Sequence, residues 1–210
     1  MYILDLIGTL AFAVAGAFKA RGRELNVFGV VLLGVITAVG GGTFRDLVIG
    51  RTPLFYLEDP NYLLLAITGS IATYLVPHIF KKYFTFFRFL DSVGLAAFAI
   101  IGTSVTYNYL FYNNGHGIIA TLACIFMGMI TGFGGGVLRD AVMGDAPFAF
   151  QKKSGYIMAA FAGAVVFYFL MFVNINLAIL ASIAVTLTLR EILSEYGLYK
   201  KYFKIKDSQD

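Results

Sequence analysis

The chain reads as an all-α integral membrane protein, with seven transmembrane helices arranged as two inverted three-helix repeats plus a seventh helix. Three observations predict that class. Of the 210 residues 59% are hydrophobic and only 13% charged, and the mean hydropathy is +0.80. A water-soluble domain of this length needs more polar surface, so the surrounding solvent is lipid. The first half of the chain recurs in the second half after a three-span period. Finally, GGGTFRD at Gly40–Asp46 returns as GGGVLRD at Gly134–Asp140, each copy inside an apolar run.

Hydropathy gives the spans in order: about Ile3–Ala20, Asn26–Ile49, Asn61–Phe80, Phe89–Leu110, Gly117–Met143, Gly155–Val173 and Ile175–Leu193. Most approach the ~20 residues a helix needs to cross a bilayer. Span one opens without a basic n-region, so AVAGA at Ala13–Ala17 is read as retained helix rather than a cleavage site. Spans two and five carry the glycine motif and are predicted to break there. Asp59–Pro60 reads as the N-cap and first turn of span three, and Pro53 and Pro147 close the two motif helices. Strand alternation is absent, which argues against a barrel. The domain is thus 1–193, with repeat one about 3–80, repeat two about 89–173, the seventh helix about 175–193 and a basic tail at 194–210.

The repeat is explicit. Leu4–Ala17 matches Leu90–Thr103 at seven of fourteen positions, with an offset of 86. Gly34–Pro53 matches Gly128–Pro147 at eleven of twenty, with an offset of 94. The eight additional residues of the second copy are placed in the Tyr107–Gly117 loop. Three spans per copy is an odd number, so the second copy enters from the opposite face, a device common in membrane transport proteins.

Orientation follows from basic residues. Leaving aside Arg45 and Arg139, thirteen fall on one side: Lys19, Arg21, Arg23, Lys81, Lys82, Arg88, Lys152, Lys153, Arg190, Lys200, Lys201, Lys204 and Lys206. Arg51 alone falls on the other. The positive-inside rule then puts the N-terminus outside and the C-terminus in the cytoplasm of a multi-pass cell-membrane protein. The net charge of +4 is this topology signal and not a nucleic-acid footprint. Cys124 stands alone, so no disulfide framework exists. His78 and His116 belong to no metal or catalytic constellation, and no catalytic motif is present; no enzyme activity, cofactor or metal is expected, beyond a permeant potassium or sodium ion.

Gly40–Gly42 and Gly134–Gly136 allow two readings. Small residues let membrane helices approach closely. Packing motifs, however, space glycines four apart, whereas three in succession weaken a helix by roughly 1 kcal/mol each. A functional break is therefore expected at each triplet. Arg45–Asp46 and Arg139–Asp140 follow directly, although charge near a bilayer centre costs about 2.5–3.5 kcal/mol on insertion scales. Helical neighbours point about 100° apart, which predicts crossed pairs, Arg45 with Asp140 and Arg139 with Asp46. Such pairs either only hold the helices together or gate a pathway. Asp5 and Asp91 are equivalent, each read as a helix-start carboxylate or as an acidic vestibule that enriches cations. Thr37 and Thr131, one turn before the glycines, either bond their own backbone or face water.

Doubled GGG-x-x-RD motifs on an inverted three-helix repeat, with a seventh helix, resemble the prokaryotic branch of the trimeric intracellular cation (TRIC) channels. Related bacterial sequences are labelled glycine-transporter domains. The resemblance spans about Leu4 to Leu193. It implies a homotrimer in membrane lipid, with one pore per subunit passing monovalent cations such as potassium, lined where spans two and five kink at Gly40–Gly42 and Gly134–Gly136. The alternative is a secondary transporter of a small zwitterion such as glycine, its ammonium held by Asp46 or Asp140.

Overall fold

The computed structural model describes residues 1–23, 25–75, 84–112, 117–152 and 154–193. All regular structure within them is helical. Repeat one contains α1 (Tyr2–Arg21), α2 (Val27–Ile49), the single turn α3 (Phe55–Glu58) and α4 (Asn61–Leu75). Repeat two contains α5 (Phe84–Tyr112), α6 (Ile118–Val142), a 3₁₀ turn (Phe148–Phe150) and α7 (Tyr156–Leu170), and α8 (Ile175–Leu193) follows. Five of these are long and apolar enough to cross a membrane: α1, α2, α5 over Thr85–Phe111, α6 and α8. α4 and α7 are apolar but only 15 residues each. Exposed apolar side chains such as Phe28, Ile119 and Leu180 fit a surface in lipid.

Local chemistry sets the helix ends. Asn26 caps α2 by accepting the Gly29 amide, and Gly50 ends it in the left-handed region at φ 75°. Asp59 accepts the Asn61 amide at the start of α4, much as its position before Pro60 suggests. α5 stays helical through Tyr112, so part of the extra length expected as a loop is helix. The basic residues Lys81, Lys82, Lys153, Lys200, Lys201, Lys204 and Lys206, both histidines and the 194–210 tail lie outside the described residues.

Packing follows the repeat. α1 lies against α2 and α4, and α5 against α6 and α7, while α1 meets α5 and α2 meets α6 across the centre. Phe12 and Phe98 are repeat equivalents and touch each other, ring centroids 5.1 Å apart. The close approaches are paired in the same way: Gly16 faces Thr37, and Gly102 faces Thr131. α8 packs on α7 and α5, where the Ser182 hydroxyl donates to the Gly163 carbonyl.

The expected interruptions are corrected here. α2 is helical through Gly40–Gly42 and α6 through Gly134–Gly136. A break leaves amides and carbonyls unpaired, at several kcal/mol each in a membrane, whereas the glycine cost is about 1 kcal/mol per residue. What the glycines supply is proximity. A Cβ on Gly41 would stand 2.2 Å from the Thr131 carbonyl oxygen, and one on Gly135 would stand 2.1 Å from that of Thr37.

Candidate functional site

The motif charges are buried at opposite ends of the α2–α6 crossing. The first end lies by the start of α1. There Arg45 bonds its own neighbour, with Nε 2.8 Å and Nη2 2.7 Å from Asp46 Oδ1. Asp46 Oδ2 accepts the Phe55 amide at 3.3 Å, and Arg51 stands 3.9 Å from Oδ1. The Tyr62 hydroxyl donates to Asp5 Oδ2 at 2.9 Å. These groups border a cavity of about 380 Å³ lined by Asp5, Arg45, Arg51, Phe55 and Tyr62 among others. At its rim the Tyr2 hydroxyl donates to Asp59 and holds that carboxyl below the usual carboxylate range.

The second end lies by the close of α1. Arg139 Nε is 2.8 Å from Asp140 Oδ1, and the Phe148 amide donates to Oδ2 at 3.0 Å, repeating the first end. Lys19 adds a third partner, its ammonium 2.6 Å from Asp140 and 3.3 Å from Asp145. Arg23 pairs with Asp145, and Arg88 with Glu191. Asp91 sits between Arg139 at 3.9 Å and Arg190 at 3.6 Å. Paired and hydrogen-bonded charges of this kind tolerate burial, because each removed partner would leave its mate uncompensated.

Two expectations are corrected. The crossed pairs are absent: Arg45 and Asp140 lie at opposite ends of α1, beside Asp5 and Lys19 respectively. Those two residues are about 21 Å apart at 1.5 Å rise per residue. The arginine stem is long enough to fold back on the adjacent carboxylate, a reach that the angle between neighbouring Cβ atoms does not express. Nor does Asp91 start a helix, because α5 begins seven residues earlier at Phe84. Asp5 is in the first turn of α1 but caps nothing with its side chain.

The Thr37 and Thr131 hydroxyls each donate to the carbonyl four residues back, Leu33 and Met127, at 2.6 Å. Lys19 and Arg190, counted as cytoplasmic flanks by sequence, are 2% and 0% exposed in the structure. For Arg190 a signal existed: it lies inside the seventh apolar segment. Lys19 carries the same signal, since it lies inside the first apolar segment.

Repeated helical units around buried ion pairs, with five helices long and apolar enough to cross a bilayer, define a multi-pass membrane protein. The chain belongs to the family described as Glycine transporter, whose model matches residues 2–78 and 88–172. It is 34% identical to the inner membrane protein YadS of Escherichia coli strain K12 over 196 residues, 90% of this chain and 89% of that one. A membrane protein of Deinococcus radiodurans is 36% identical over 165 residues, 78% of this chain and 73% of its own. Among solved structures it is similar to the TRIC trimeric intracellular cation channel orthologue from Rhodobacter sphaeroides. That match has 37% identity and a TM-score of 0.81 over 91% of this chain and 96% of that one. A prokaryotic TRIC channel crystallised in 0.5 M KCl gives 30% and 0.79, over 94% and 99%. The TRIC membership read from the doubled motif therefore holds.

Proposed function

We propose that the chain is a potassium-permeable monovalent cation channel with one pore in each subunit of a homotrimer. It lies in the cell membrane, N-terminus outside and C-terminus cytoplasmic. The observation that carries this reading is the pair of buried ionic clusters at the two ends of one helix seam, α2 against α6. Charge inside a membrane bundle is costly and marks ion or substrate pathways. Likeness to structures described as cation channels, one of them trimeric, supports the same reading. The 13-to-1 split of basic residues supports the orientation.

In this reading a cation enters beside Asp5 and passes Arg45, whose charge Asp46 neutralises. It then meets the crossing at Gly40–Gly42 and Gly134–Gly136. Carbonyls and hydroxyl lone pairs of Thr37 and Thr131 there replace hydration water. α2 and α6 touch at Gly41 and Gly135, so a modest separation of the two helices opens the path and the crossing serves as its gate. Arg139 and Asp140, with Asp91 beside them, shape the potential at the far mouth.

The description of the family as glycine transporters favours a second reading, zwitterion transport, which one pair of measurements separates from the first. Purified protein in a planar bilayer is expected to give discrete current steps in potassium chloride. Under a salt gradient the reversal potential should move toward the potassium equilibrium value. Saturable accumulation of labelled glycine in proteoliposomes, without current steps, replaces the channel by the transporter.

A further inference from the structure

The two ends of the bundle are repeat equivalents, yet a side chain from α8 fills only one of them. At the second end Arg190 reaches into a seat made by Asp91, Phe148 and Tyr156. Its guanidinium lies 3.6 Å from the Asp91 carboxylate, 5.3 Å from the Phe148 ring centre and 4.7 Å from that of Tyr156. Nη1 also donates to the Ser154 carbonyl at 3.1 Å. A carboxylate, a carbonyl and two aromatic faces thus surround the planar cation.

The first end has the same parts. Asp5 is equivalent to Asp91 and Tyr62 to Tyr156, while Phe55 takes the role of Phe148 in donating its amide to the motif aspartate. Both aromatic pairs are T-shaped, at 4.8 Å and 87° for Phe55–Tyr62 and at 6.0 Å and 90° for Phe148–Tyr156. Among the described residues no counterpart of α8 serves repeat one, and the cavity of about 380 Å³ lies at these residues. Asp5 Oδ1 is buried without a hydrogen-bond partner, and among the described residues Asp5 makes no ion pair. Arg45 already covers Phe55 at 5.7 Å, and Arg51 is taken by Glu58 at 3.0 Å. The Tyr62 ring and the Asp5 carboxylate remain, and Asp59 and Met1 also line the cavity.

We infer that the Asp5 cavity is a seat for a guanidinium-type cation, and that Arg190 is a tethered ligand filling the equivalent seat at the other end. The seat deepens the channel reading, since Asp5 stands at one proposed mouth. It also makes the two mouths unequal: a free organic cation has a place at the Asp5 end only, because the protein's own arginine occupies the other.

Calorimetric titration of the purified detergent-solubilised protein with methylguanidinium tests the seat without any current. The wild type is expected to bind one equivalent per chain, and Asp5→Asn to weaken binding by about tenfold or more, as loss of a charged partner does. Arg190→Ala should bind a second equivalent, which Asp91→Asn added to it removes. No binding by the wild type, or unchanged affinity in Asp5→Asn, overturns the inference. So does an Arg190→Ala protein that folds and still binds only one. If Arg190→Ala does not fold, the wild type and Asp5→Asn decide the matter alone. Binding without potassium current would remove the channel and keep the seat, and current without binding would do the reverse. With both present, methylguanidinium should reduce potassium current from the Asp5 side only, and block that is equal from both sides counts against the seat.

Discussion

An arginine followed by an aspartate on one helix has two ways to satisfy its charge, and this protein uses the local one twice. Arg45 and Arg139 each turn onto the next residue, and each aspartate accepts on its second oxygen a backbone amide from beyond the helix end. The unit therefore closes the helix terminus and neutralises the motif in one step. Thermal melting in detergent should show the difference. Arg45 and Asp140 mutated to alanine singly and together should be additive within about 0.5 kcal/mol, as distant sites are. Arg45 and Asp46 should be coupled by about 0.5–3 kcal/mol. Coupling between Arg45 and Asp140 instead would restore the crossed pairs.

At the scale of the element, each glycine triplet contains residues with different tasks. Gly135 accepts no Cβ, because a rigid carbonyl of α2 would stand 2.1 Å away. At Gly136 the nearest atoms would be Arg139 Nη2 at 3.6 Å and the Tyr156 hydroxyl at 3.9 Å, ordinary contacts. Gly135→Ala is thus expected to push α2 from α6 and cost about 1–3 kcal/mol, the usual range for overpacking. Gly136→Ala should be neutral or gain up to about 1 kcal/mol in helix propensity. Equal loss from both alanines would point to a conformational break rather than a crossing. The glycine signal was visible in the sequence and close packing was one of its two readings, but the sequence favoured the other, a break. Composition reports that the helix is weak at Gly40–Gly42, while the Thr131 carbonyl of α6 determines why no side chain fits at Gly41.

For the whole molecule, the repeat was legible because it is written in local pattern. Hydropathy and the two offsets place most helix ends within about three residues of their observed bounds. However, α5 starts five residues before the expected Phe89, and the expected end of span three at Phe80 lies outside the described residues. Asp59 and Pro60 mark the start of α4 as expected. The ionic ends were less legible. Lys19 and Arg190 look like solvated flanks, since burial of a basic residue depends on carboxylates brought from other helices, Asp140 and Asp91. Inversion itself makes a claim about the assembled protein in its membrane that neither hydropathy nor packing measures. Glu58 and Lys152 are repeat equivalents at an offset of 94, both exposed, one after each motif helix. If the halves are inverted, these matched positions face opposite compartments. On a Cys124→Ser background, which removes the buried native thiol, Glu58→Cys should react with an impermeant thiol reagent added outside intact cells. Lys152→Cys should react only after the membrane is opened. The reverse pattern would keep the inversion and turn the protein over. Labelling of both from one side would mean that the two halves run parallel, and the repeat would then no longer place its two charged ends on opposite faces of the bilayer.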